Sequence, residues 1–220
     1  MKSQGVRHLC AATLVAATLL AGCAANQPIP QMTRQNGAVV AIELNVADPS
    51  NIGSHDPVQI YFAKIDNSDG ILQQQFIRSN YVKDNRAYLL NARPGTYVAV
   101  ASLFRSPVSP ATYTTYFPRG LVEQTKVSVH EHEFAFMGSC IVDSSVGLDG
   151  ADVVQIHYKN VIAPGAATGL LSMAFSGAVQ YRGTLRERKD DVGTQAAFFR
   201  QAKEDLKGSS WTAFVPQSMR

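Results

Sequence analysis

The chain has 220 residues, 45% of them hydrophobic and 17% charged, and a formal net charge of +3. It is too apolar for a disordered polypeptide, and it lacks the repeated runs of about 20 apolar residues that a polytopic membrane protein needs. Its length suffices to bury one core of ordinary size.

Residues 1–8 carry Lys2 and Arg7 and no acid, and the thirteen residues 9–21 form an unbroken run of Leu, Ala, Val and Thr with one Cys. A basic stretch before a short apolar one is the pattern of an export signal, and the run is too short to cross a bilayer permanently. Leu20-Ala21-Gly22-Cys23 closes it. This string resembles the lipobox of bacterial lipoproteins, in which a dedicated peptidase cleaves before a Cys that already carries diacylglycerol. The resemblance implies residues 1–22 as a lipoprotein signal peptide, cleavage between Gly22 and Cys23, and a thioether-linked diacylglycerol plus an N-acyl chain on Cys23. Ala24, where Asp would signal retention, implies in that family the outer membrane facing the periplasm, with the inner membrane as the alternative.

Two or three acyl chains, at about 0.8 kcal/mol per buried methylene, make release from a bilayer negligible. Lys2 and Arg7 leave with the signal, so eighteen basic residues face seventeen acidic ones in the mature chain. Nucleic acid as a partner therefore has no electrostatic support. Cys10 also leaves and Cys23 is committed to lipid, so Cys140 cannot form an internal disulfide; in an oxidising compartment it is expected to be buried.

Residues 23–36 contain Pro28 and Pro30 and no apolar period, and they read as a lipidated flexible tether. From there to residue 220 a single domain is expected. Val40, Ile42, Leu44 and Val46 share one parity against Glu43 and Asn45, which predicts a half-buried strand. Residues 58–65 and 71–77 predict a hairpin across Asp66-Asn67-Ser68-Asp69-Gly70, a run read as turn rather than calcium loop because no distant Glu completes it. The loop 143–152 is read the same way.

Residues 87–91 and 96–105 predict two strands around Arg93-Pro94-Gly95, whose Pro and Gly suit a type II turn. The string from Leu90 to Val98 resembles the Pro-Gly-x-Tyr hairpin of transthyretin-like and carboxypeptidase-regulatory-like sandwiches, which implies a fold that binds or braces. Further strands are predicted at 112–117, 122–129, 134–142 and 153–159. The parity of Phe134, Phe136, Gly138, Cys140 and Val142 would place the thiol beside those aromatics. Within 163–188 the apolar stretch 170–178 fits helix or strand, and 182–191, with four basic and three acidic residues, reads as a solvated loop.

A C-terminal amphipathic helix is predicted over 194–207, capped by Thr194, with Phe198, Ala202 and Leu206 on one stripe, Gly208 past its end and 211–215 as a closing segment. Close strand spacing predicts a mainly β fold, an antiparallel β-sandwich of transthyretin-like or Ig-like type with that helix packed on it.

The strongest chemical candidate is His130-Glu131-His132-Glu133, because two His at i and i+2 on a strand point the same way and could share a zinc or copper ion. Parity argues against it: Val127 and Val129 are odd whereas Phe134 and Phe136 are even, which predicts a turn or bulge between them. No nucleophile elbow, phosphate-binding glycine loop or paired-cysteine zinc pattern occurs. The reading is a non-catalytic envelope lipoprotein without cofactor, a structural or protein-binding module whose partner is another envelope protein, reached by strand addition to an exposed edge. The alternatives are a metal-binding protein or metallohydrolase using His130 and His132, and a cell-wall carbohydrate-binding module that stacks peptidoglycan sugars on Tyr113, Tyr116 or Phe117.

Overall fold

The structure, a computed structural model, describes residues 27–47, 54–55, 57–66, 76–105, 112–146 and 179–217. The signal, the lipobox, the 67–70 turn, the 153–159 strand and residues 163–178 lie outside the described residues. In chain order the elements are β1 (Ala38–Ala47), β2 (Ser54–His55), β3 (Gln59–Lys64), β4 (Phe76–Arg78), β5 (Tyr81–Lys83), β6 (Arg86–Ala92), β7 (Gly95–Arg105), β8 (Thr112–Tyr116), α1 (Arg119–Gln124), β9 (Val127–Val129), β10 (Phe134–Val146), β11 (Val179–Lys189) and α2 (Val192–Asp205). A 3-10 helix, Ser210–Phe214, follows.

The strands belong to one mixed sheet curled into a half-barrel, in the order β4-β3-β7-β8-β11-β10-β1-β6-β5, with β2 added to β1 and β9 to β7. This corrects the expected antiparallel sandwich. β1 runs parallel to β10, and β8 parallel to β11. Alternation of apolar residues reports burial of one face but not the direction of the neighbouring strand, which pairing across distant sequence decides.

The ends of this path are joined by the chain itself. β4 and β5 are separated only by Ser79 and Asn80, and these residues bond in opposite directions. Ser79 donates its N–H to Ile60 O and accepts from Ile60 N through Oγ. Asn80 donates its N–H to Tyr88 O, and its carboxamide both accepts from Leu90 N and donates to Leu90 O, reproducing a ladder rung with a side chain. Among the described residues the end strands are three residues each, a short edge.

The larger core fills one face with Val40, Ile42, Leu44 and Val46 of β1, Phe62 of β3, Val100 of β7 and Leu121 of α1. The opposite face of β1 carries Val39 and Ala41, which join Tyr88, Leu90 and Phe134 beneath Phe198, Ala202 and Leu206 of α2 and the fully buried Trp211. Phe198 stacks on Phe136 at 4.0 Å between centroids and meets Phe134 edge-on, contacts that add to simple area burial.

Five local expectations are corrected. Residues 90–98 do not form a hairpin, since β6 pairs with β1 and β5 whereas β7 pairs with β3, β8 and β9. Gly95, at φ +146°, lets the chain cross from one part of the sheet to the other, and a side chain there would collide with Lys64 and Asp66. Tyr97 holds the crossing by donating its hydroxyl to Arg93 O at 2.7 Å, the device of a tyrosine corner. Residues 122–129 are α1 and β9 rather than one strand; Leu121 and Val122 are adjacent in sequence and both buried, which a single-faced strand would not allow.

Residues 182–189 are strand, not loop. Gly183 is buried and Leu185 half-buried while Arg182, Thr184 and Arg186 are exposed, an alternation that its charges obscure in the sequence. In β10 the register passes from Ala41↔Phe136 to Glu43↔Ser139, one extra residue on β10. That bulge, with Gly138 at φ +105°, flips the parity, so Cys140 sits in the larger core and away from Phe134 and Phe136. Finally, Asp191 caps α2, accepting from Thr194 N at 3.0 Å and from Thr194 Oγ1 at 2.7 Å. The cap lies three residues earlier than the sequence suggested.

Candidate functional site

Of residues 23–36, expected from the sequence to be a flexible tether, the structure describes 27–36, and these form a strap bonded along the fold. Gln27 Nε2 donates to Asn80 O at 3.0 Å, and Trp211 Nε1 to Pro30 O at 2.7 Å. Asn91, at φ +61°, turns its carboxamide onto the strap, donating to Gln31 O and accepting from Thr33 N at 2.9 and 2.8 Å. Farther on, Asn36 Nδ2 donates to Glu131 Oε1, and His132 Nε2 to Gln35 O at 2.6 Å. Ile29 and Met32 pack on the smaller core. Proline content and missing periodicity mark a segment that makes no ladder of its own, but they do not forbid one whose backbone groups are satisfied by side chains from elsewhere.

The start of the strap borders an open groove of about 1080 Å³, whose walls include Gln27, Val58, Lys83, Arg105 and the end of α2. At its base lies a buried polar cluster. Asp205 Oδ2 accepts from Arg86 Nε at 2.6 Å and from Tyr88 OH at 2.6 Å, and Oδ1 accepts from Arg86 Nη2 at 3.1 Å. Tyr81 OH donates to the Asp205 carbonyl at 3.0 Å, and Asp84 takes a further Arg86 bond at 2.9 Å. Burial alone would weaken the charge on Arg86, but its bonds to Asp205 outweigh that and hold it cationic beyond the ordinary arginine value. Burial, reinforced by the Asp205 carboxylate, likewise keeps Tyr88 a neutral phenol. Every member of the cluster is hydrogen-bonded to another. The cluster clasps α2 to the sheet.

His130 and His132 stand on the turn between β9 and β10, as the parity argument required. His130 is exposed; its N–H and Nδ1 both meet Glu133 Oε2, at 2.7 and 2.8 Å. His132, at φ +61°, has left strand geometry, commits Nε2 to Gln35 O, and lays its ring 5.8 Å from that of Phe214. The shared strand face on which the metal idea rested does not exist, because the positive φ turns the second ring away. Among the described residues no three His, Cys, Asp or Glu side chains gather as a ligand set.

Of the proposed sugar-stacking residues, Tyr116 and Phe117 are buried, and Tyr113 is half-buried against Phe104 and Tyr181 at 5.2 and 5.6 Å. Cys140 is buried and free, and burial pushes its thiol up to about 11. Gly22 and Cys23 lie outside the described residues. Sequence reading missed the strap and the Arg86–Asp205 clasp. The available signal was an Arg at the start of the apolar strand Arg86–Ala92 and an Asp on the apolar side of the last helix, two charges that need each other only if folding buries both.

No protein-family model matches this chain, and no curated protein matches it.

Proposed function

We propose that this protein is a lipid-anchored envelope lipoprotein, held at the periplasmic face of the outer membrane through Cys23, that serves as a non-catalytic structural or protein-binding module. The observation that carries the reading is the apolar run 9–21 ending in Leu20-Ala21-Gly22-Cys23 behind a basic start, an export-and-lipidation pattern. Two features of the fold support it. Gln27, four positions after Cys23, is already bonded to the domain, as suits a chain anchored immediately upstream. The polar clusters around the groove and the turn at 130–133 are mutually satisfied, an arrangement that braces a fold rather than activating a nucleophile.

The test is metabolic labelling with palmitate in cells expressing the full chain, followed by membrane fractionation and mass spectrometry of the N-terminal peptide. The wild-type chain is expected to carry diacylglycerol and an acyl chain on Cys23 and to sediment with the outer membrane. Cys23→Ala is expected to lose the label and appear in the soluble fraction. An unlabelled wild-type chain with an N-terminus elsewhere would refute the proposal. Crosslinking in intact cells then separates a protein partner from peptidoglycan.

A further inference from the structure

The strap leaves almost no free chain between the domain and the lipid. Cys23 to Gln27 is four peptide steps, and fully extended chain covers at most about 3.6 Å per step, so the two are within about 14 Å. The free tether of residues 23–36 would have allowed any orientation; a strap fixed at Gln27, Pro30, Gln31 and Thr33 does not. What lies around Gln27 must therefore lie close to the bilayer.

The groove beside Gln27 suits that place. Val58 is one of two exposed large apolar residues among those described, and it stands on the groove wall. Lys83 and Arg105 stand there too. The groove's Arg86, Asp84 and Asp205 are engaged with one another, and Glu204 with Lys207, whereas Lys83 and Arg105 have no carboxylate partner among the described residues. An apolar contact flanked by two cations next to the anchor is complementary to a leaflet that exposes phosphate above hydrocarbon.

The geometry points to a membrane-docking face: Val58, Lys83 and Arg105 rest on the anionic phospholipid leaflet that holds the anchor, and the 126–133 region is held away from it. This rests on lipidation at Cys23. Tyr97, which pairs with Val127 next to Lys126, lies eight residues along β7 from Arg105, a separation of about 26 Å. The strap's role is then to set orientation as well as attachment.

The experiment reconstitutes the lipidated chain in vesicles of phosphatidylethanolamine and phosphatidylglycerol and compares Val58→Trp with Lys126→Trp, using lipids brominated high on the acyl chain as quenchers. Trp211 is buried and supplies a constant background. Val58→Trp fluorescence is expected to fall on bromination and Lys126→Trp to stay unchanged. Lys83→Glu/Arg105→Glu in the Val58→Trp background is expected to abolish the loss, because each cation favours the docked state by about fivefold. Should Val58→Trp fail to fold, Lys83→Trp reports the same face. Equal quenching at both positions, none at Val58→Trp, or quenching indifferent to the charge reversal overturns the proposal. If Cys23 carries no lipid in cells, the proposed function fails separately. The docking face is then tested by coupling the chain that begins at Cys23 through that thiol to a maleimide lipid, Cys140 being buried, and the same outcomes decide.

Discussion

Replacing Asp205 with Ala should unfold the link between α2 and the sheet at a cost that only a buried ion pair can produce. The Asp205 side chain is 6% exposed and that of Arg86 10%, and the carboxylate accepts three side-chain bonds from Arg86 and Tyr88. Removing one partner of such a pair costs about 3–5 kcal/mol, because the other charge stays buried without compensation. Arg86 retains Asp84, which is 63% exposed, so the loss should fall at the low end, about 3 kcal/mol. For a domain of this size that lowers Tm by roughly 6–12 °C. Guanidinium unfolding followed by far-UV circular dichroism and by the fluorescence of Trp211, which shares the smaller core with Tyr81 and Tyr88, measures it. The triple variant Arg86→Met/Asp205→Leu/Tyr88→Phe should recover most of the loss, since it removes the charges together. A loss under about 1 kcal/mol for Asp205→Ala, the range of an exposed ion pair, would refute the reasoning.

Three further outcomes are expected. Asn91→Gly keeps the positive φ but removes both carboxamide bonds to the strap, so trypsin should cut after the exposed Arg34 faster and the Thr33 amide should exchange faster, while global stability falls by only about 1–2 kcal/mol; unchanged cleavage would show that the strap is held without Asn91. Gly138→Ala places a side chain at φ +105°, with Cβ 3.1 Å from Arg188 Nε, and should cost about 1–3 kcal/mol in urea unfolding; a neutral result would mean that the bulge relaxes. Glu133 has its carboxyl held below the ordinary range, first by the His130 backbone N–H and then by the His130 ring. A depressed folded-state pKa gives stability that is present above the ordinary carboxylate range and lost as pH falls through the lower folded value. Glu133→Gln should therefore flatten the acid limb of a Tm-against-pH curve, and an unaltered limb would exclude that role.

The strands were readable wherever one face faced a core. Alternation located β1, apolar runs located β3 and β7, and the stripe of Phe198, Ala202 and Leu206 located α2. The switch of parity between Val129 and Phe134 located the turn on which His130 and His132 stand. Reading failed where two physical effects overlap in one string. Arg182, Arg186 and Arg188 obscured the alternation of β11, and a single bulge at Gly138 moved Cys140 from one core to the other. Pro28 and Pro30 marked a segment without its own ladder, yet Asn80, Asn91 and Trp211, between 53 and 181 residues distant, supply the missing partners.

By itself the sequence supplied the proposed export signal and lipid address at Cys23, and it determined the β-rich class and the burial of Cys140, since each depends on composition or spacing within one segment. Only the tertiary structure decided that β1 lies parallel to β10, that the ends of the sheet meet through Ser79 and Asn80, and that Arg86 finds Asp205. Those depend on which distant backbone and side-chain groups are brought together, and hydrogen bonding between distant partners leaves no period in the sequence.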